Sequence, residues 1–473
     1  MSPDALDALL AKLEGSVAVD DGKVSVVDEE KLREAAVDAL VKEAVFGDSD
    51  HQGAARWLLW ELGQVLGIYP ASIHELYLAR GREEVPLDFT VPAINLRAMT
   101  YDSARAVFKA AIPRNMGAMI LEIARSEIGY TDQRPAEYFS VVTAAAIKEG
   151  YRGPLFVQGD HFQVSAKKFK ADPESEVQAV CDVTEESIKA GFYNIDIDTS
   201  TLVDLGPSTI DEQQRNNYEV CANLTMFIRE REPEGVTISV GGEIGEIGEK
   251  NSDETELRGF MDGYYRTLPS GMTGLSKISI QTGTSHGGVP LPDGTLAQVK
   301  IDFNVIKELS KIGRDVYSMA GAVQHGASTL PDEAFNQFVQ NEAAEVHLAT
   351  GFQNIVYDHE AFPAELRERM YEHIKTAHAN EQKEGQTEEQ FIYKTRKKGL
   401  GPFKAELWGL SEDIRGAIRT SLEEKFGFLF DQLNAGDTIE LARRYAPQVE
   451  IHRSPDDFGV SAGAGEDTSD LAD

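Results

Sequence analysis

Three of the ten histidines stand in short runs of small, acidic or polar residues: Gly159-Asp160-His161, Thr284-Ser285-His286-Gly287-Gly288 and Gln324-His325-Gly326-Ala327-Ser328. Neutral imidazole is the usual ligand of zinc, and a catalytic zinc takes three protein ligands while keeping a position open for water or substrate. Taken singly, each histidine reads as a structural residue; three in matching settings read as a ligand set. Acids accompany them. Asp196 and Asp198 precede Thr199 and Ser200, and Glu243 opens a segment carrying Glu246, Glu249, Asp253, Glu254 and Glu256. A run of acids on a loop is ordinarily a solvated face, but beside a metal it offers general bases and mobile ligands. Gly287, Gly288, Gly326, Ala327 and Ser328 add backbone N–H groups that can face an anion.

The settings match because of the elements that precede them. From Phe89 onward, short apolar runs alternate with helical stretches, the pattern of βαβ units and a parallel sheet. Eight runs are expected as strands: Phe89 to Asn95, Ala118 to Ser126, Leu155 to His161, Tyr193 to Ser200, Thr237 to Glu243, Ile278 to Thr284, Val316 to His325 and Glu345 to Thr350. Helical periodicity fills gaps between them over Ser103 to Ala111, Ala136 to Glu149, Glu176 to Ala190, Ile210 to Arg231 and Phe303 to Ile312. The expected fold is therefore α/β, a TIM (β/α)8 barrel with added N-terminal and C-terminal helical segments. In such a barrel the site lies at the C-terminal ends of the strands, where His161, His286 and His325 fall. The expected organisation is a helical extension over 1–85, the barrel over 86–362, a helical extension over 363–453 and a disordered acidic tail over 454–473.

Composition narrows the function classes. Lys and Arg number 46 against 79 Asp and Glu, a net charge of −33 that repels nucleic acid and anionic membranes. Cys181 and Cys221 are the only cysteines, too few for a disulfide framework or a thiolate cluster, so a metal must rest on histidine and carboxylate in a reducing, cytoplasmic setting. No apolar run approaches the length of a membrane span, and the N-terminus lacks the basic and apolar regions of a signal peptide.

In its motifs the chain resembles the class II, metal-dependent fructose-bisphosphate and tagatose-bisphosphate aldolases, over about residues 89 to 355. The first strand, Phe89-Thr90-Val91-Pro92-Ala93-Ile94-Asn95, is similar to theirs. So are Ser126 after strand two, Asp160-His161, Glu243-Ile244-Gly245, Gly283-Thr284-Ser285-His286-Gly287 and His325-Gly326-Ala327-Ser328. The resemblance implies zinc held by His161, His286 and His325, with Glu243 and Asp198 as further metal-site carboxylates; another divalent metal is an alternative, and a monovalent cation an addition. It implies reversible aldol cleavage of a ketose phosphate such as fructose 1,6-bisphosphate, giving dihydroxyacetone phosphate and an aldehyde. Asp160 would exchange a proton with the aldehyde oxygen, and Glu249 would serve the enediolate carbon. Asn95, Ser126, Gly287, Gly326, Ala327, Ser328, His347 and Thr350 would contact the phosphorylated sugar. An oligomer of identical chains is also implied.

Two departures stand out. His347 occupies strand eight where the family carries an Asn, as an altered substrate contact, a fourth metal-proximal ligand or a structural residue. Glu249 is displaced from the register of the family's loop glutamates. Family members also receive a phosphate-binding Arg from outside the barrel core, which makes Arg396, Lys397 and Lys398 candidates against a plain surface loop. The rivals to an aldolase are a non-catalytic stabilising subunit of a tagatose-bisphosphate aldolase and another metal-dependent sugar-phosphate barrel enzyme.

Overall fold

The computed structural model describes residues 3–245, 250–283, 301–328, 330–458 and 471. Eight parallel strands close on themselves: β1 (Val91–Asn95), β2 (Ile120–Ala124), β3 (Gly153–Gln163), β4 (Asn194–Asp198), β5 (Ser239–Glu243), β6 (Lys277–Ile280), β7 (Ala322–Gln324) and β8 (Glu345–Leu348). Each pairs with the next, and β8 returns to β1 through Glu345↔Val91 to Leu348↔Ile94. Strand seven starts later than expected. Val316 and Tyr317 end the helix Phe303–Tyr317, whose C-cap Ser318 is left-handed, and the chain enters β7 only at Ala322. Ser126 likewise lies past β2, in the helix Arg125–Tyr130.

The first 81 residues pack outside the barrel helix Pro135–Glu149 through the helices Val37–Phe46 and Ser49–Val65, and then, from Ile68 to Gly81, close the floor of the barrel, the end opposite the strands' C-termini. A hairpin pairs Val17–Asp20 with Lys23–Val26 around Asp21-Gly22, both at positive φ as a two-residue turn requires. Ile68–Pro70 adds a ninth strand against the start of β3. The helix His74–Gly81 then runs under the barrel, where fully buried Arg80 donates to the carbonyls of Phe89, Leu87 and Ala343. Such capping satisfies carbonyls that the strands' starts leave inside the protein.

The C-terminal segment wraps the outside. The helix Glu412–Gln432 packs on the barrel helix Thr100–Ala111, where Arg419 and Arg415 pair with Asp102. The chain then returns to the N-terminal helix Ser49–Val65: Trp57 Nε1 donates to the Arg453 carbonyl at 2.8 Å and Trp60 Nε1 to that of Ile451 at 2.7 Å. Residues 455–458, expected as part of a disordered tail, form a 3-10 turn that buries Phe458 against Trp60. The aromatic face of Trp60 gives that short segment an anchor its composition did not suggest. Among the described residues no helix is long and apolar enough to cross a membrane.

Candidate metal centre

Side chains alternate across a strand, so residues two apart point to the same face. Every barrel strand is therefore read in steps of two, and here the inward steps are polar: Gln158 and Asp160 on β3, Asp196 and Asp198 on β4, Lys277 and Ser279 on β6, Glu345 and His347 on β8, with Glu122 on β2. The interior of such a barrel is usually filled by branched aliphatic residues. Buried charges in their place are costly unless each finds a partner.

In the upper layer, near the strands' C-terminal ends, β3 makes the decisive irregularity. Its register with β4 shifts between Gly159 and Phe162, and His161 sits there at φ 41. A non-glycine residue in that region is strained, and bulges of this kind re-aim side chains beside sites. Gly159 permits it, since a Cβ there would come within 2.4 Å of the Phe162 ring. The redirected His161 ring places Nδ1 3.1 Å from Asp198 Oδ2 and 3.5 Å from Glu243 Oε2, leaving Nε2 facing Asp160 Oδ1 at 3.9 Å. His325 repeats the arrangement with the other nitrogen: Nε2 shares a 2.9 Å hydrogen bond with Ser279 Oγ, and Nδ1 faces Asp160 Oδ1 at 4.0 Å. The His161 and His325 rings lie 4.2 Å apart, and His325 and His347 3.9 Å.

One nitrogen of each of the two imidazoles is thus held by an oxygen and the other turned to a common point, the arrangement that fixes the tautomer of metal-ligating histidines. Asp160, His161 and His325 offer ligand atoms all within 4.8 Å of one another, as do His161, Asp198 and Glu243. Asp160 Oδ1 is buried and takes no hydrogen bond. The donor set fits a divalent cation of nitrogen and oxygen preference. His286, Gly287 and Glu249 lie outside the described residues.

The remaining expected residues divide into groups. Asn95 Nδ2 donates to Asp160 Oδ2 and to Glu127 Oε2, each at 3.0 Å, so it orients the carboxylate. Thr350 Oγ1 accepts from Arg97 at 2.7 Å, and Ser328 Oγ accepts from the Gly351 N–H at 3.2 Å. Gly326 is left-handed at φ 69, and Ala327 is buried beside it. Ser126 opens onto a cavity of about 830 Å³ whose other wall belongs to the C-terminal segment, including Lys394, Lys397 and Lys398. Arg396 is turned away from it, clamped by both oxygens of Asp358 and by Asn354 Oδ1. Burial and neighbouring Arg97 push the Lys397 ammonium down to about 7.

Below the metal-facing layer lies a second one that the motifs did not announce. Lys277 Nζ is 2.9 Å from Asp196 and 2.8 Å from Gln158 Oε1, and it pairs with Glu345. Tyr77, from the floor helix, donates its hydroxyl to Glu345, whose other oxygen lies 2.6 Å from His347 Nε2. The signal was present in the sequence as a charged residue two positions before a site residue: Glu345 before His347, Lys277 before Ser279, Asp196 before Asp198.

Without a metal these groups share protons. Burial and Asp198 push Glu243 up to about 7, while burial raises Glu122 and Asp196. Burial would lower His161 and His347, but the facing carboxylates hold both well above the ordinary histidine value. Each of these groups binds protons more tightly folded than unfolded, so each withdraws stability as pH rises toward its folded value. Between pH 5 and 8 the metal-free protein is expected to lose thermal stability. A divalent ion, which displaces those protons, should raise Tm by more at pH 8 than at pH 5 and release protons on binding. Scanning calorimetry at the two pH values, with chelator and with added Zn2+, checks this; a metal-induced rise independent of pH would refute it.

The family model for "Fructose-bisphosphate aldolase class-II" matches residues 86–398. No curated protein sequence matches the chain. Among solved structures, the glycerol-complexed fructuronate-tagaturonate epimerase UxaE from Cohnella laeviribosi superposes with a TM-score of 0.50 at 12% identity, covering 89% of this chain and 90% of that one. A probable tagatose 6 phosphate kinase from Sinorhizobium meliloti 1021 gives 0.50 at 15% identity, over 73% and 97%. Fructose-bisphosphate aldolase from Campylobacter jejuni gives 0.46 at 17%, over 77% and 95%. At these identities the likeness is one of fold.

Proposed function

We propose, from the premise that this chain belongs to the class II fructose-bisphosphate aldolase family, that it is a zinc-dependent lyase cleaving a ketose phosphate reversibly between two carbons. The observation that carries this reading is the convergence of His161 Nε2, His325 Nδ1 and Asp160 Oδ1 at the mouth of the barrel, with the second nitrogen of each ring already held. His286 is the third histidine we assign to the ion. When bound there, a divalent metal supplies Lewis acidity to the substrate carbonyl and to the charge that develops as the bond breaks.

The chain's own residues handle the protons. Asp160 is buried, which alone would raise its pKa, but in the metal-free protein His161, His347 and His325 hold it well below the ordinary carboxylate range, and a bound divalent ion would favour the same ionised form by its own charge. In the cleavage direction it accepts the proton of the hydroxyl on the far side of the breaking bond. That oxygen becomes the aldehyde carbonyl, and the electron pair of the broken carbon–carbon bond passes to the carbon beside the ketone. A second acid then protonates that carbon, and Glu249 is our choice. Asn95 fixes the Asp160 carboxylate throughout. The lysine-lined cavity beside Ser126 supports an anionic group on the substrate, since it is basic in a chain of net charge −33.

A second reading has one observation in its favour. The fold likeness to the fructuronate-tagaturonate epimerase extends over 89% of this chain, beyond the 86–398 span of the family model. An epimerase acting on a ketouronate would use the same cavity for a carboxylate. One assay separates the two: zinc-loaded protein is incubated with ketose bisphosphates, ketose phosphates and ketouronates, with and without chelator. Chelator-sensitive release of a triose phosphate is the expected result. Inversion of a ketouronate carbon with no triose phosphate released would replace the aldolase reading with the epimerase one.

A further inference from the structure

Glu122, on β2, is fully buried, and its two oxygens differ. Oε2 accepts from Gln158 Nε2 at 2.8 Å, while Oε1 takes no hydrogen bond. That oxygen lies 3.0 Å from His347 Nδ1, and Asp160 Oδ1, also without a hydrogen bond, lies 3.3 Å from the same nitrogen. These are close approaches that miss the direction in which a ring N–H donates, since neither satisfies hydrogen-bond geometry. They are the separations found between neighbouring ligands of one ion. With metal–ligand bonds of about 2.1 Å, adjacent ligands stand about 3.0 Å apart in an octahedron and about 3.4 Å apart in a tetrahedron.

Charge points the same way. Around His347 stand four buried carboxylates, Glu122, Asp160, Asp196 and Glu345. Lys277 answers two of them, Asp196 and Glu345. Among the described residues only imidazoles come within ion-pair distance of Glu122 and Asp160. Two carboxylates buried together need a cation between them, and in the metal-free protein a protonated His347 is the group placed to supply it to both.

We propose that Glu122, Asp160 and His347 form a second divalent-cation subsite, deeper in the barrel than the one faced by His161 and His325, with Asp160 Oδ1 common to both. The three ligand atoms lie within 4.8 Å of one another. The mixed oxygen and nitrogen set suits Mn2+ or Zn2+. A cation on Oδ1 keeps Asp160 ionised and leaves Oδ2, oriented by Asn95, to accept the substrate proton. The subsite rests on the geometry of Glu122 and His347 and not on the identity of the reaction.

The test counts metal and needs no substrate. Protein stripped with chelator, reloaded with Mn2+ or Zn2+ and freed of excess ion is expected to retain two equivalents per chain. In the Mn2+ form the two ions should give an exchange-coupled electron paramagnetic resonance spectrum, because they share a carboxylate oxygen. Glu122→Gln should retain one equivalent with the six-line signal of an isolated ion, and His347→Asn should do the same. Wild-type protein that saturates at one equivalent, or that shows two uncoupled ions, would overturn the subsite, as would a folded Glu122→Gln still holding two. Should Glu122→Gln fail to fold, the wild-type spectrum and His347→Asn decide. The aldolase reading is judged separately, by product released.

Discussion

Asp160→Asn is expected to lower kcat/KM on the cleaved ketose by about 10²–10⁴-fold, the range for removing a positioned proton carrier, while the protein stays folded and keeps an ion at His161 and His325. The substitution changes one oxygen to an amide and nothing in volume. Asn95 can still orient the remaining oxygen, so losses from misfolding are small. What disappears is the one carboxylate that, among the described residues, faces three imidazoles at once: His347 at 3.3 Å, His161 at 3.9 Å and His325 at 4.0 Å. Steady-state kinetics paired with metal analysis reads the outcome. A variant within tenfold of wild type with its metal intact would remove Asp160 from the chemistry and move the proton to another carboxylate. Should activity and all metal vanish together, Asp160 would be a metal ligand first.

The parts of this site that the sequence made legible were those with a local signature. His161 and His325 could be placed at the barrel mouth because each follows a β-rich run, although β3 continues past His161 to Gln163, and the alternation of runs and helices is a local pattern. The eight strands emerged near their observed places for the same reason. The sequence places the start of strand seven at Val316 because Val316 and Tyr317 are apolar, but these residues close an amphipathic helix and Val316 is exposed. The inner layer had a fainter mark, a charge two positions before a site residue, which no turn or run sets apart. Lys277, Glu122 and Glu345 are single charged residues in apolar strands, and they acquire partners only when strands remote in sequence are brought round the barrel. Tyr77 is more remote still: it reaches Glu345 across 268 positions from a helix in the N-terminal extension. The left-handed turn of His161 was equally hidden, because backbone strain of this kind is imposed by tertiary packing and not by the residue's own preference.

That hidden layer carries the largest expected effect on stability. Lys277→Met should destabilise the fold by about 3–5 kcal/mol, the usual result of removing one partner from a buried ion pair. Methionine fills most of the space of the lysine stem, so packing is nearly conserved and the loss is electrostatic. Asp196 and Glu345 remain, neither reachable by bulk water, and His347 then lies between carboxylates with no ammonium nearby. At present Lys277 and His347 hold Glu345 below its ordinary value against the burial that would raise it. Removing the ammonium lets burial dominate, so both carboxyls should take up protons as pH falls, which relieves the uncompensated charge. The destabilisation is therefore expected to be greater at pH 8 than at pH 5. Urea unfolding of metal-free wild type and variant at the two pH values measures it, and Lys277→Met with Glu345→Gln should recover part of the loss at pH 8. A loss under about 1 kcal/mol, the scale of an exposed pair, or one equal at both pH values, would mean that Lys277 is solvated and that the inner layer is not a closed ionic network.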